Sequence, residues 1–141
     1  MSSDQKPAMT SDFDWKAVPQ VRCGVLVSKV TEYLAAHPRE VVDMELGDWT
    51  IEQNSGRFAV MHRTGLANGV RPDNLPETLE GTMPVLVGTG NARVFLIDGA
   101  HRVAKALIEK SKTIRAVILT EEETRACVLN GQMARFDRET R

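Results

Sequence analysis

Apolar residues along this chain repeat with two different periods, and the switches between them mark out its elements. From Val25 to Ala36, Val27, Val30, Leu34 and Ala35 recur at three-to-four spacing while Lys29, Glu32 and Tyr33 fall elsewhere, which predicts an amphipathic helix stopped by His37-Pro38. Between Val41 and Arg63 the period shortens toward two. Trp49-Thr50-Ile51 and Phe58-Ala59-Val60-Met61, separated by Asn54-Ser55-Gly56, predict a hairpin. Residues 64–82 hold Gly65, Asn68, Gly69, Pro72, Asn74, Pro76 and Gly81, a density of breakers that predicts a long loop with one short helical turn at most. Loops of that length in compact domains are often functional.

The second half has the clearest pattern. Pro84-Val85-Leu86-Val87 predicts a strand, Gly88-Thr89-Gly90-Asn91 a turn, and Arg93-Val94-Phe95-Leu96-Ile97 a second strand. Asp98-Gly99 ends it. From Ala100 the period becomes helical, with Val103, Ala104, Leu107 and Ile108 on one face and Arg102, Lys105, Glu109 and Lys110 outside. The run from Ile114 to Leu119, apolar but for Arg115, predicts a buried strand. Thr120 then caps another helix, with Glu123 at its third position completing a capping box. Residues 1–20 mix Ser, Asp, Lys and Pro with few apolar anchors and predict a flexible N-terminal segment, leaving 21–141 as a single domain.

Composition changes this picture little. At 141 residues, 42% hydrophobic and 26% charged, the chain can bury a core without disulfides or a structural metal, and 5% aromatic content makes that core aliphatic. Met44, Met61 and Met83 read as core filling. Cys23 and Cys127 are far apart without CxxC spacing, so they read as buried free thiols. Neither they nor His37, His62 and His101 have the spacing of a metal site. No apolar run reaches membrane-spanning length and no hydrophobic signal region opens the chain, so a cytoplasmic location without membrane contact is expected. Eighteen basic and nineteen acidic residues give a net charge of −1, which argues against bulk coating of DNA. A basic cluster, Arg135, Arg138 and Arg141, interleaved with Asp137 and Glu139, is the candidate nucleic-acid contact.

The chemistry concentrates at Asp98-Gly99-Ala100-His101-Arg102, where a strand passes directly into a helix. Such a helix presents unpaired N–H groups and the positive end of its dipole above the sheet edge, a ready anion site. Gly99 permits close backbone approach. His101 and Arg102 add donors, although a base in the first turn opposes the dipole unless an anion is present. Asp98 reads three ways: as a plain helix cap with His101 and Arg102 solvated, as a general base, or as a ligand for Mg²⁺ accompanying a nucleotide. His62-Arg63, at a predicted strand end before the long loop, could line the same site.

The run Val94-Phe95-Leu96-Ile97-Asp98-Gly99-Ala100-His101-Arg102, followed by an amphipathic helix, the strand Ile114 to Leu119 and an acidic-capped helix, resembles the ParB/sulfiredoxin superfamily over Met83 to Val128. The resemblance implies an α+β fold, a small mixed sheet with packed helices, in which this turn binds the phosphates of a nucleotide such as ATP, ADP or CTP at Gly99, Ala100, His101 and Arg102. It also implies relatives that hydrolyse or transfer phosphate, with Asp98 and His101 as the candidate catalytic residues here. Sulfiredoxins carry a reactive cysteine where this chain has Ala100, so sulfinic-acid reduction is not expected. Partition ParB proteins have Gly-Glu-Arg-Arg and a later Glu-Asn-x-Gln-Arg. Here Gly99-Ala100-His101-Arg102 and Leu129-Asn130-Gly131-Gln132-Met133 replace the acidic residue and the final arginine, which counts against CTP-clamp behaviour. With the chain ending at Arg141, no helix-turn-helix domain is expected. Free-serine kinases of the superfamily pair an Asp-Gly-His turn with an earlier glutamate, for which Glu40, Glu45 and Glu52 are the candidates. The alternative reading is a DNA-associated, nuclease-like or regulatory protein of plasmid or phage type, its turn contacting DNA or a protein partner; nothing in the sequence fixes an oligomeric state.

Overall fold

The computed structural model describes residues 21–54 and 57–141. The expected flexible segment at 1–20 and the Ser55-Gly56 part of the predicted hairpin turn lie outside the described residues.

The fold is α+β. Its centre is a four-stranded mixed sheet in the order β3-β9-β7-β8, formed by β3 (Val42–Glu45), β7 (Val85–Gly90), β8 (Arg93–Asp98) and β9 (Thr113–Ile118). Strands β7 and β9 run parallel, while β3 and β8 join antiparallel at the two edges. Beside it stands a three-stranded antiparallel sheet, β4 (Trp49–Asn54), β5 (Arg57–His62) and β6 (Asn68–Val70). The helices are α1 (Val27–Ala36), α2 (Ala100–Ile108), α3 (Glu121–Ala126) and α4 (Met133–Glu139). Among the described residues no helix is long and apolar enough to cross a membrane.

Period-two alternation explains why the central strands read as continuous apolar runs: both faces of the sheet are buried. Val85, Val87, Leu96, Ile114 and Ala116 point to one face, where Val103, Ala104 and Ala106 of α2 and Trp49, Val60 and Val70 of the second sheet cover them. Phe95, Ile97, Val117 and Leu119 point to the other, under Val25, Val30, Cys127 and Phe136. Helix α2 therefore lies between the two sheets, touching strands of each. This sandwiching positions its first turn.

Several expectations are corrected. Val25-Leu26 belongs to no helix but to β2 (Val25–Leu26), which pairs with β1 (Val21–Arg22) across Cys23-Gly24. Both turn residues have positive φ, 52° and 78°, the conformation a two-residue hairpin requires. In α1, Val27, Val30 and Leu34 pack on the core as predicted, but Tyr33 joins them half-buried and Ala35 is exposed. Gly88-Thr89-Gly90 is strand, and the turn is Asn91-Ala92, again with both φ positive. The two glycines serve packing: a Cβ on Gly88 would come 2.9 Å from Phe95 Cζ, and one on Gly90 2.6 Å from Phe136 Cζ. The long loop carries the predicted helical turn, 3-10 at Pro72–Asn74, but also β6, whose Asn68 and Val70 are buried around an exposed Gly69. Ile108 and Met83 are exposed, not core. The capping box of α3 is present as predicted, Thr120 Oγ1 accepting from Glu123 N–H at 3.2 Å and Glu123 Oε1 from Thr120 N–H at 2.8 Å.

The basic end is not a free arm. Phe136 is fully buried against Phe95, α4 is tied to α3 by Arg125 to Asp137 at 3.1 Å, and Arg135 is engaged within the helix by Glu139 at 3.2 Å. Only Arg138 and Arg141 of the predicted cluster are exposed.

Candidate functional site

The turn from β8 into α2 is shaped by a bulge. Val87 pairs with Leu96 but Leu86 pairs with Asp98, so Ile97 is an extra residue on β8. Cross-strand partners share a face, and Leu86 sits on the face away from α2. The bulge thus carries Asp98 off the apolar α2 face, where strict alternation from Leu96 would have put it, and out onto the sheet's other side.

Gly99 follows at φ 113°, ψ 23°, a left-handed conformation that serves as the N-cap of α2. A Cβ there would stand 2.5 Å from Val85 Cγ1, so both the dihedral and the space demand glycine. Asp98 does not cap the helix, and no side chain among the described residues does. Helix geometry leaves the N–H groups of Ala100, His101 and Arg102 without intrahelical acceptors. They face a pocket of about 200 Å³ whose near wall is the turn, residues 98–102, and whose far wall is Arg22, Asn68 and Gly69.

Arg22 and Asn68 are the site residues that sequence reasoning misses. Arg22 Nε donates to Asn68 Oδ1 at 2.9 Å, and Asn68, 4% exposed, donates from Nδ2 to Leu66 O at 3.2 Å. A buried amide from the second sheet thereby orients a guanidinium from the β1–β2 hairpin toward the start of α2. No local spacing could have linked them; the one available signal was a polar Asn68 alternating with Val70.

His101 and Arg102 are not solvated, as the simple-cap reading expected. His101 Nε2 accepts from Arg71 N–H at 3.1 Å, which puts the ring proton on Nδ1. Burial, then the nearby Arg71 charge, lowers its pKa, so the ring is neutral at neutral pH. Arg102 is 17% exposed at its side chain. Its Nη1 donates to Met83 O and, at 3.2 Å, to Pro84 O, while Nη2 meets Asp98 Oδ2 at 3.2 Å. The arginine therefore sits on the pocket wall as part of a packed network.

The remaining candidates lie elsewhere. His62 and Arg63 pair with Asp48, and His62 Nδ1 lies 2.9 Å from Thr64 Oγ1; neither lines the pocket. Glu40, Glu45 and Glu52 do not line it either, which leaves Asp98 as its only carboxylate among the described residues. Cys23 and Cys127 are buried free thiols, and burial pushes the Cys23 pKa up to about 11, an inert state. Among the described residues no group of three His, Cys, Asp or Glu side chains is placed to hold a metal ion.

Asp98 also lines a second, larger groove of about 420 Å³ on the other side of the turn. Its walls are mainly apolar, with Val27 and Leu34 of α1, Met83, Pro84, Leu86 and Val117, and Thr31 and Arg39 among them. A polar pocket rich in positive charge and an apolar groove thus meet at one carboxylate. No family model matches the chain, and no curated protein or solved structure shows significant similarity to it.

Proposed function

We propose that this protein binds a nucleoside di- or triphosphate and hydrolyses or transfers its phosphate, with a ParB/sulfiredoxin-like domain as the frame. One observation carries the reading: a helix that no side chain among the described residues caps opens, through a left-handed glycine, onto a pocket walled by Arg22, His101 and Arg102. At about 200 Å³ the pocket suits the phosphates and is too small for a whole nucleotide, since ligand pockets usually run from about 300 Å³ upward. The adjoining apolar groove offers the space for the nucleoside.

In this reading the N–H groups of Ala100, His101 and Arg102 hold phosphate oxygens and the helix dipole adds to them. Arg22 supplies charge from the opposite wall. Asp98, at the junction of the two spaces and 45% exposed, accepts the proton of the attacking water or acceptor hydroxyl, and the neutral His101 is a second proton carrier once its Nε2 is released. Mg²⁺ with a nucleotide needs about one carboxylate besides phosphate oxygens and water, and Asp98 is the side chain that could provide it.

Calorimetric titration with ATP, ADP, CTP and inorganic pyrophosphate tests this. Wild type should bind at least one of them, and Arg22→Gln should weaken binding by about tenfold or more, the usual worth of one charge-assisted hydrogen bond. Absence of binding by every one of these ligands would sink the reading.

A further inference from the structure

The connection from β6 to β7 crosses the molecule from Arg71 to Pro84, and both of its ends are gripped by consecutive residues of the first turn of α2. At the upstream end, Arg71 N–H donates to His101 Nε2 at 3.1 Å. At the downstream end, Met83 O and Pro84 O accept from Arg102 Nη1. Between these ends the connection is held differently, by Leu75 and Leu79 packed on the core and by Arg115 Nη1 donating to Thr82 O at 3.3 Å. The residues that line the anion pocket are therefore the same residues that fasten the segment.

We propose that residues 71–84 form a strap latched at both ends by His101 and Arg102, and that an anion occupying the pocket unlatches it. The inference rests on the phosphate-binding reading. An anion competes for Arg102, because charge-assisted bonds to phosphate oxygens are about twice as strong as those to neutral carbonyls such as Met83 O and Pro84 O. It also acts on His101. The charged groups around that ring in the pocket are Arg22, Arg102, Asp98 and, from the strap, Arg71. A polyanion offsets the Arg71 charge and favours the imidazolium, which has no lone pair left for Arg71 N–H. One ligand loosens both latches by one electrostatic change. Met83 and Pro84 are also walls of the apolar groove, so unlatching reshapes the second space when the first is filled. The strap couples the two halves of the site.

Hydrogen exchange read by mass spectrometry on the full chain, with and without saturating inorganic pyrophosphate, tests this, with pyrophosphate binding followed by calorimetry on the same samples. Peptides holding Arg71 and Thr82–Met83 should exchange about tenfold faster with pyrophosphate bound, while the Leu75–Leu79 stretch stays unchanged. Arg102→Ala without ligand should show the fast rate at Thr82–Met83 already; should that variant fail to fold, the wild-type comparison stands by itself. Pyrophosphate that binds without speeding exchange at either end overturns the strap and leaves the phosphate reading intact. If no heat of binding is seen, both fall together.

Discussion

Gly99→Ala should lower the unfolding free energy by about 2–5 kcal/mol, combining the cost of a side chain at positive φ with that of overpacking a filled core. The two causes are separate in the structure. At φ 113° any Cβ is strained, and this one would stand 2.5 Å from Cγ1 and 2.8 Å from Cβ of Val85, itself fully buried. Relief must come from moving either the turn or β7. If the turn moves, the amides of Ala100, His101 and Arg102 leave their common direction, so pyrophosphate affinity should fall along with stability. Urea unfolding measures the first effect and calorimetry the second. A stability loss under about 0.5 kcal/mol, in the range of an ordinary surface change, would show that the turn does not have this backbone.

Phe136→Ala should cost about 3–5 kcal/mol, the usual penalty for emptying a fully buried aromatic site. The ring lies edge-on to Phe95 with centroids 6.3 Å apart and carries the Arg125 guanidinium 4.8 Å above it. Arg125 in turn joins Glu121 of α3 and Asp137 of α4 and donates to Asn91 Oδ1 of the β7–β8 turn, whose Nδ2 donates to Thr140 Oγ1. Removing the ring leaves that polar network without its apolar floor. Gly24 of the β1–β2 hairpin lies against Gln132 and the backbone of Phe136, so the hairpin that carries Arg22 should loosen as well and pyrophosphate affinity should fall with stability. A loss near 1 kcal/mol in urea unfolding would mean that α4 is not seated as described.

The sequence shows part of this architecture for physical reasons that can be named. The strands Arg93–Asp98 and Thr113–Ile118, helix α2 and the capping box of α3 are readable because local period, caps and burial all agree. Gly88 and Gly90 mislead because glycine marks both turns and tight packing, and only the neighbouring Phe95 and Phe136 rings distinguish the two. Strand β6 hides because Asn68 and Gly69 are turn formers locally, while its pairing with β5 is tertiary. At the site, the Asp98 to Arg102 turn is visible as a period switch. Its far wall is not, since Arg22 and Asn68 meet only through folding. Nor could sequence show that Arg102 is drawn in. The plain-cap reading left it solvated, and the ties to Met83, Pro84 and Asp98 correct that.

The central claim is that the open end of α2 cradles phosphate oxygens. Two-dimensional ¹H–¹⁵N spectra of the uniformly labelled protein, titrated with inorganic pyrophosphate, address it most directly. The account predicts saturable downfield shifts, largest at the amides of Ala100, His101 and Arg102. Shifts confined to other amides, or a spectrum that pyrophosphate leaves unchanged, would contradict it.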